Sequence, residues 1–120
     1  MSQRFSGKIA LVTGAGCVGP GWGNGRAIAF GLAREGATVI GVDRNADAMT
    51  ETAERIAAEG GRFETATLDV TDGAAIARLV EGIVARHGRI DVLVNNVGGS
   101  AAGGPVEMTE EVWDLQIDTN

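Results

Sequence analysis

Six glycines, at 14, 16, 19, 21, 23 and 25, lie within "VTGAGCVGPGWGNGRAIAF" (12–30), where an apolar run gives way to a helical pattern. Glycines here offer what a phosphate group needs, namely backbone amides free of side-chain bulk and the positive end of a helix. The literal G-x-G-x-x-G is Gly14, Gly16 and Gly19. A helix opened at its end, however, would carry Gly21, Gly23 and Gly25 in its first turns, each costing about 1 kcal/mol relative to alanine. Opening the helix at Asn24, as N-cap, avoids most of that cost. This places a pyrophosphate against the amides of Gly23, Asn24, Gly25 and Arg26, and leaves Gly14 to make the tight turn off the strand.

The elements that must position this loop follow from the apolar pattern. Residues 8–13, 38–43, 62–70 and 90–96 read as strands. The first, second and fourth are nearly continuous in Val, Ile and Leu, as parallel strands covered on both faces are, and the more mixed third belongs nearer an edge. Helices are expected over 25–35, with Ile28 and Leu32 on one face, and over 46–59, capped by Asn45 and stopped by Gly60. A third, over 73–87, is capped by Asp72, carries Ile76, Leu79, Val80, Ile83 and Val84 as one stripe and ends before Gly88, with His87 partly buried at its terminus. Strand and helix alternating this way imply right-handed crossovers and a doubly wound α/β (Rossmann-type) parallel sheet ordered 3-2-1-4.

Composition narrows the partners. Ten Lys and Arg against sixteen Asp and Glu give a net charge of -6, which repels nucleic acid and anionic membrane. A phosphate ligand must then be held by backbone. Cys17 is the only cysteine and has no internal disulfide partner. The apolar run near the N-terminus is too short for a signal peptide or membrane span, so the expected setting is cytoplasmic. With no histidine near it in sequence, Cys17 reads as a bystander rather than a nucleophile.

Given that fold, Asp43 at the end of the second strand is placed to accept both hydroxyls of an adenosine ribose and to repel a 2′-phosphate, selecting NAD over NADP. Arg44 beside it offers a guanidinium that stacks on adenine or receives a 2′-phosphate.

"VTGAG…GNGRAIA" resembles the Thr-Gly-x-x-x-Gly-x-Gly signature of the short-chain dehydrogenase/reductase family, with Gly14, Gly23 and Gly25 as its glycines and "CVGPGW" in a lengthened loop between the first two. That loop reads either as a surface excursion or as a flap over the pyrophosphate with Trp22 shielding it. Two further strings extend the resemblance. "LDV" implies Asp69 on the adenine amino group with the Val70 backbone beside it. "NNVGG" implies Asn96 and Gly98 lining the cofactor while Asn95 braces the sheet. The segment "MTEEVWDLQIDTN", read as a helix capped by Thr109, resembles the family stretch in which a Trp, here Trp113, precedes a catalytic asparagine, here Asn120.

The family's activity is hydride transfer between a nicotinamide and an alcohol or carbonyl carbon, with a serine, a tyrosine and a lysine completing a tetrad. No tyrosine occurs here, the only lysine is Lys8, and Ser100 follows the fourth strand rather than a fifth. The expectation is therefore one dinucleotide-binding domain over 1–120, truncated on its C-terminal side and inactive alone. Its parent would be a homo-oligomer acting on a small alcohol or carbonyl compound. The rival readings are a non-catalytic dinucleotide-binding module or redox sensor, and a class I methyltransferase. The latter also pairs a glycine turn with an acidic end to strand two, but "NNVGG" and the Trp113/Asn120 spacing argue against it.

Overall fold

The computed structural model describes residues 3–16, 21–97 and 110–111. Strand and helix alternate as β1 (Ile9–Thr13), α1 (Asn24–Arg34), β2 (Thr38–Asp43), α2 (Ala46–Ala58), β3 (Arg62–Thr67), α3 (Gly73–His87) and β4 (Val92–Val94). The strands form one parallel sheet in the order β3-β2-β1-β4, the doubly wound arrangement expected from the sequence. Every residue of β1 is buried and β2 is buried except at its ends, whereas β3, at the edge of the sheet, has only exposed and half-buried positions.

Two apolar layers flank this sheet. On one face Ala10, Val12 and Val39 meet Ala29 and Ala33 of α1 and Met49 and Ile56 of α2. On the other, Leu11, Ile40 and Val42 meet Ile83 of α3. The chain thus winds from β1 outward to β3 under α1 and α2, then crosses back over the opposite face to β4. Between β1 and β4 the winding direction reverses, and the carboxyl ends of those two strands open the crevice where such sheets bind ligands.

Several local details depart from the sequence pattern. The residues of α1 turned to the sheet are Gly25, Ala29 and Ala33, with Ile28 and Leu32 only flanking, because small side chains let the helix lie close to β1. Gly23 rather than Asn24 is the N-cap. Its backbone is extended at φ -106°, it contributes no side-chain cap bond, and Asn24 is the first helical residue with its side chain exposed. Asn45 and Asp72 cap α2 and α3 as expected, accepting from the amides of Asp47 and Ala75. Gly88 ends α3 in the left-handed conformation at φ 83°. The stripe on α3 is wider than the strip of sheet it covers: Ile83 is buried, while Val84, the next residue and about 100° round the helix, is 44% exposed.

β3 stops at Thr67 rather than at 70 because Asp69 turns the chain by accepting from Thr71. β4 covers Val92–Val94 rather than 90–96 because the Asn96 amide donates to the Thr13 hydroxyl instead of to a strand carbonyl. Of the helix expected from 109 only Glu110 and Glu111 are described, and both are helical. Cys17, Gly19, Gly98, Ser100, Trp113 and Asn120 lie outside the described residues. No helix among the described residues is long and apolar enough to cross a membrane.

The close seat of α1 makes its two glycines unequal. A Cβ on Gly25 would overlap the Gly14 carbonyl, whereas one on Gly31 meets nothing within 4 Å. Gly25→Ala is expected to destabilise the protein by about 1–3 kcal/mol or more through overpacking. Gly31→Ala should be neutral or stabilise by up to about 1 kcal/mol. Urea or thermal denaturation of both variants checks the contrast, and equal effects would show that α1 does not depend on that approach.

Candidate functional site

The crevice is built at the ends of β1 and β4. The Thr13 hydroxyl donates to the Val94 carbonyl at 3.3 Å and accepts from the amides of Asn96 at 3.0 Å and Val97 at 3.4 Å. The Asn96 side-chain amide donates to the Gly14 carbonyl at 3.1 Å. Gly14 takes a left-handed φ of 65°, the conformation that turns the chain sharply off the strand, and a Cβ there would lie 3.0 Å from Asn96 Nδ2. With Gly25 against the same carbonyl, the ends of two strands and the first turn of α1 meet at one point. Asn96 therefore reaches the site as the brace of the glycine turn. Asn95, expected to brace the sheet, is exposed.

Past the turn, the chain runs beside the end of β2. The Ala15 amide donates to the Val42 carbonyl at 3.1 Å, and the Gly16 amide donates to Asp43 Oδ2 at 3.1 Å. The other carboxylate oxygen, Oδ1, accepts from the Asn45 amide at 3.1 Å. Each oxygen of this half-buried carboxylate is thus held by one amide and retains lone pairs for further donors. A Cβ on Gly16 would lie 2.7 Å from Ala48 Cβ and 2.8 Å from Asp43 Oδ2. Gly16, set aside in the sequence as part of the loop, is required here so that the backbone can reach Asp43.

One strand further out, the Leu68 amide donates to the Asp43 carbonyl at 3.1 Å and brings Asp69 to the same rim. Asp69 Oδ1 accepts from the Thr71 amide at 2.9 Å and the Thr71 hydroxyl at 2.7 Å, and Oδ2 lies 3.8 Å from the Arg44 guanidinium. The Thr71 amide, then its hydroxyl, and more weakly Arg44 hold the Asp69 carboxyl below the usual carboxylate range, against a smaller opposing effect of desolvation. Val70 is half-buried against the α3 side of the core. Arg44 is paired with Asp69 and its side chain is 78% exposed.

The opening of α1 completes the site. Its first turn carries no acidic residue and its cap no side-chain bond, so the amides of Asn24, Gly25 and Arg26, which lack intrahelical acceptors by geometry, are left for an anion. Amides suited to phosphate oxygens on one side and carboxylates suited to hydroxyl and amino donors on the other fit a dinucleotide laid across the crevice.

Three contributors were not read from the sequence. Thr13 looks like the last residue of a strand, and only its position before Gly14 signals a side chain that ties two strands together. Arg26 looks like a surface cation but is 2% exposed, and Thr52, midway along α2, is fully buried beneath it. The Trp22 ring packs on α1 and α2. It lies edge-on to Phe30 of α1, with centroids 5.2 Å apart, and under the Arg55 guanidinium of α2 at 4.5 Å. His87 is partly buried at the end of α3 as expected, 2.7 Å from the Glu64 carboxylate of β3.

Comparison with known proteins places this geometry. The family model described as short chain dehydrogenase matches residues 8–120. The fold is similar to a crystal structure of a short-chain dehydrogenase/reductase from Burkholderia xenovorans, with a TM-score of 0.96, 55% identity, and coverage of 99% of this chain and 45% of that one. It is also similar to carveol dehydrogenase from Mycobacterium avium in complex with NAD, at 31% identity and TM-score 0.86 over 98% of this chain and 45% of that one. A metagenomic short-chain oxidoreductase in complex with NADP matches at 39% identity and TM-score 0.85 over 96% of this chain and 50% of that one. The chain spans about half the length of the curated relatives it matches, 44% and 46% for two of them.

The Asp69 turn carries a pH signature. A carboxyl whose folded pKa is lowered contributes stability that is present above its unfolded pKa and lost as pH falls through the folded value. The loss of stability in Asp69→Asn, read as the shift in urea midpoint from wild type, should be full at pH 6 and shrink progressively below pH 4. A shift that stays constant down to pH 2 would contradict the assignment.

Proposed function

We propose that this chain, which belongs to the short chain dehydrogenase family, is the cofactor-binding part of an NAD(P)-dependent oxidoreductase, and that its own residues favour NAD. The observation that carries the preference is the Asp43 carboxylate, fixed by the amides of Gly16 and Asn45 with lone pairs still free at the end of β2. A carboxylate held there accepts the two hydroxyls of an adenosine ribose and repels a 2′-phosphate. The amides of Gly23, Asn24, Gly25 and Arg26 hold the pyrophosphate. Asp69 accepts from the adenine amino group with Val70 backbone beside it. By resemblance Asn96 and Gly98 line the cofactor, and Asn96 also keeps the Gly14 turn in place.

A bound nicotinamide dinucleotide supplies the hydride acceptor or donor for an alcohol or carbonyl substrate. By resemblance, Asn120 takes the role of the family's catalytic asparagine, and the acid–base group must come from outside these residues, which contain no tyrosine. On this reading residues 1–120 form one dinucleotide-binding domain. The net charge of -6 supports a small-molecule partner rather than nucleic acid.

Calorimetric titration of NAD and NADP into the full-length protein tests the reading. Wild type should bind NAD more tightly than NADP. Asp43→Ala should weaken NAD by about 10- to 100-fold, the range for losing hydrogen bonds to a charged acceptor, while NADP binding changes little or improves. Tighter binding of NADP by wild type would overturn the preference, and no binding of either would overturn the cofactor reading itself.

A further inference from the structure

Arg26 directly follows the glycine that seats α1, and its side chain turns inward instead of out to water. It is 2% exposed. Its Nε donates to the Thr52 hydroxyl at 2.9 Å, and one terminal nitrogen donates to the Ala48 carbonyl at 2.9 Å. The other donates to the Gly21 carbonyl and to Glu51 Oε2, the latter at 2.9 Å. Thr52, having accepted from Arg26, donates its own hydroxyl proton to the Ala15 carbonyl at 2.9 Å. Glu51 also receives Arg55 Nε at 2.7 Å, and Arg55 in turn covers the Trp22 ring. One buried guanidinium therefore fixes both limbs of the glycine loop to α2, the outgoing limb at Ala15 through Thr52 and the returning limb at Gly21 directly.

We propose that Arg26 and Thr52 are positioning residues for cofactor binding, acting through the backbone at Ala15 and Gly21 that they hold. This rests on the reading of the crevice as a dinucleotide site. The flanks of the held segments are the groups assigned to the ligand: the Gly16 amide on Asp43 follows Ala15, and the amides opening α1 follow Gly21 and Trp22. A lengthened loop has many backbone conformations, and an anion binds tightly only to amides already converging on it, since ordering them at binding subtracts from affinity. A planar guanidinium with a fixed fork of donors can hold three backbone or hydroxyl acceptors and a carboxylate at once. The point charge of a lysine cannot. No hydrogen bond from either side chain to the ligand is required.

The test uses the full-length protein as wild type, Thr52→Ser, Thr52→Val, Glu51→Ala and Arg26→Lys. The readouts are NAD and NADH dissociation constants and amide hydrogen exchange of residues 15–27 without cofactor. Thr52→Val should weaken both cofactors by about tenfold, the factor associated with one lost buried hydrogen bond, and speed exchange across the loop. Thr52→Ser, which keeps the hydroxyl, should stay within about twofold of wild type in both. Glu51→Ala, altering the more exposed end of the network, should show the same two effects in smaller measure, and Arg26→Lys should resemble Thr52→Val.

A Thr52→Val protein that loses thermal stability but binds NAD as wild type does would reduce the network to a structural one and overturn the proposal. If Thr52→Val fails to fold, unchanged binding and exchange in Glu51→Ala overturns it equally. Wild type that binds neither cofactor refutes the dinucleotide reading instead, a separate outcome.

Discussion

The missing side chain of Gly25 lets the first turn of α1 come down onto the Gly14 carbonyl, and the rest of the site is arranged around that approach. The same carbonyl accepts from Asn96 Nδ2, and Thr13 one residue earlier joins β1 to the end of β4. A helix displaced outward by a methyl group would carry its free amides away from the crevice and pull Arg26, the next residue, out of its buried seat. Backbone proximity, the burial of Arg26 and the position of the amides that open α1 are thus consequences of one packing constraint. The small residues Ala29 and Ala33 extend it along the helix and keep α1 close to β1 over its length.

Charge at the site is divided in a way that net charge conceals. A protein of net charge -6 holds no general attraction for a polyanion. Two of its carboxylates, Asp43 and Asp69, stand on the rim of the crevice, each engaged by backbone amides. A third, Glu51, is held below the usual carboxylate range chiefly by its hydrogen bond from Arg55, with Arg26 and Arg55 charges assisting. Around α1 the balance reverses, because its first turn is free of acidic residues and its dipole points inward. On the proposed reading, these amides would meet the phosphates of a dinucleotide and the two carboxylates its ribose and base. A single anion such as sulfate would use only the amides.

The parallel sheet was legible because its signals are long-range and redundant: buried apolar strands, caps at Asn45 and Asp72, and glycine stops at Gly60 and Gly88. The placement of Gly14, Asp43 and Asp69 at the carboxyl ends of strands, and of Gly25 in the first turn of α1, followed from the same frame. Features that depend on which way one side chain turns were not legible. Gly23 in place of Asn24 as the cap, Gly25, Ala29 and Ala33 in place of Ile28 and Leu32 toward the sheet, and a buried Arg26 all follow from how closely α1 approaches β1, which no local spacing encodes. The need for a glycine at 16 is not legible either, because a glycine count in a helix says nothing about one required for contact with Asp43 and Ala48.

The long loop between Gly14 and Gly23 is tolerable for the same reason. Lengthening a flexible loop costs little closure entropy, about 0.6 kcal/mol for each doubling, so extra residues alone do not endanger the fold. What they endanger is the placement of the two ends, which in a short loop is dictated by chain length and in a long one must be dictated by contacts. The described limbs carry such contacts: Ala15 is tied to Val42 and Thr52, Gly21 to Arg26, and Trp22 is laid between Phe30 and Arg55. Trp22 forms the outer peg of this anchorage. Its indole stays 52% exposed while its neighbour's carbonyl is captured within. The buried arginine and the surface tryptophan then do one job, the first from within and the second from the surface, returning a lengthened chain to the point where α1 can begin against Gly14.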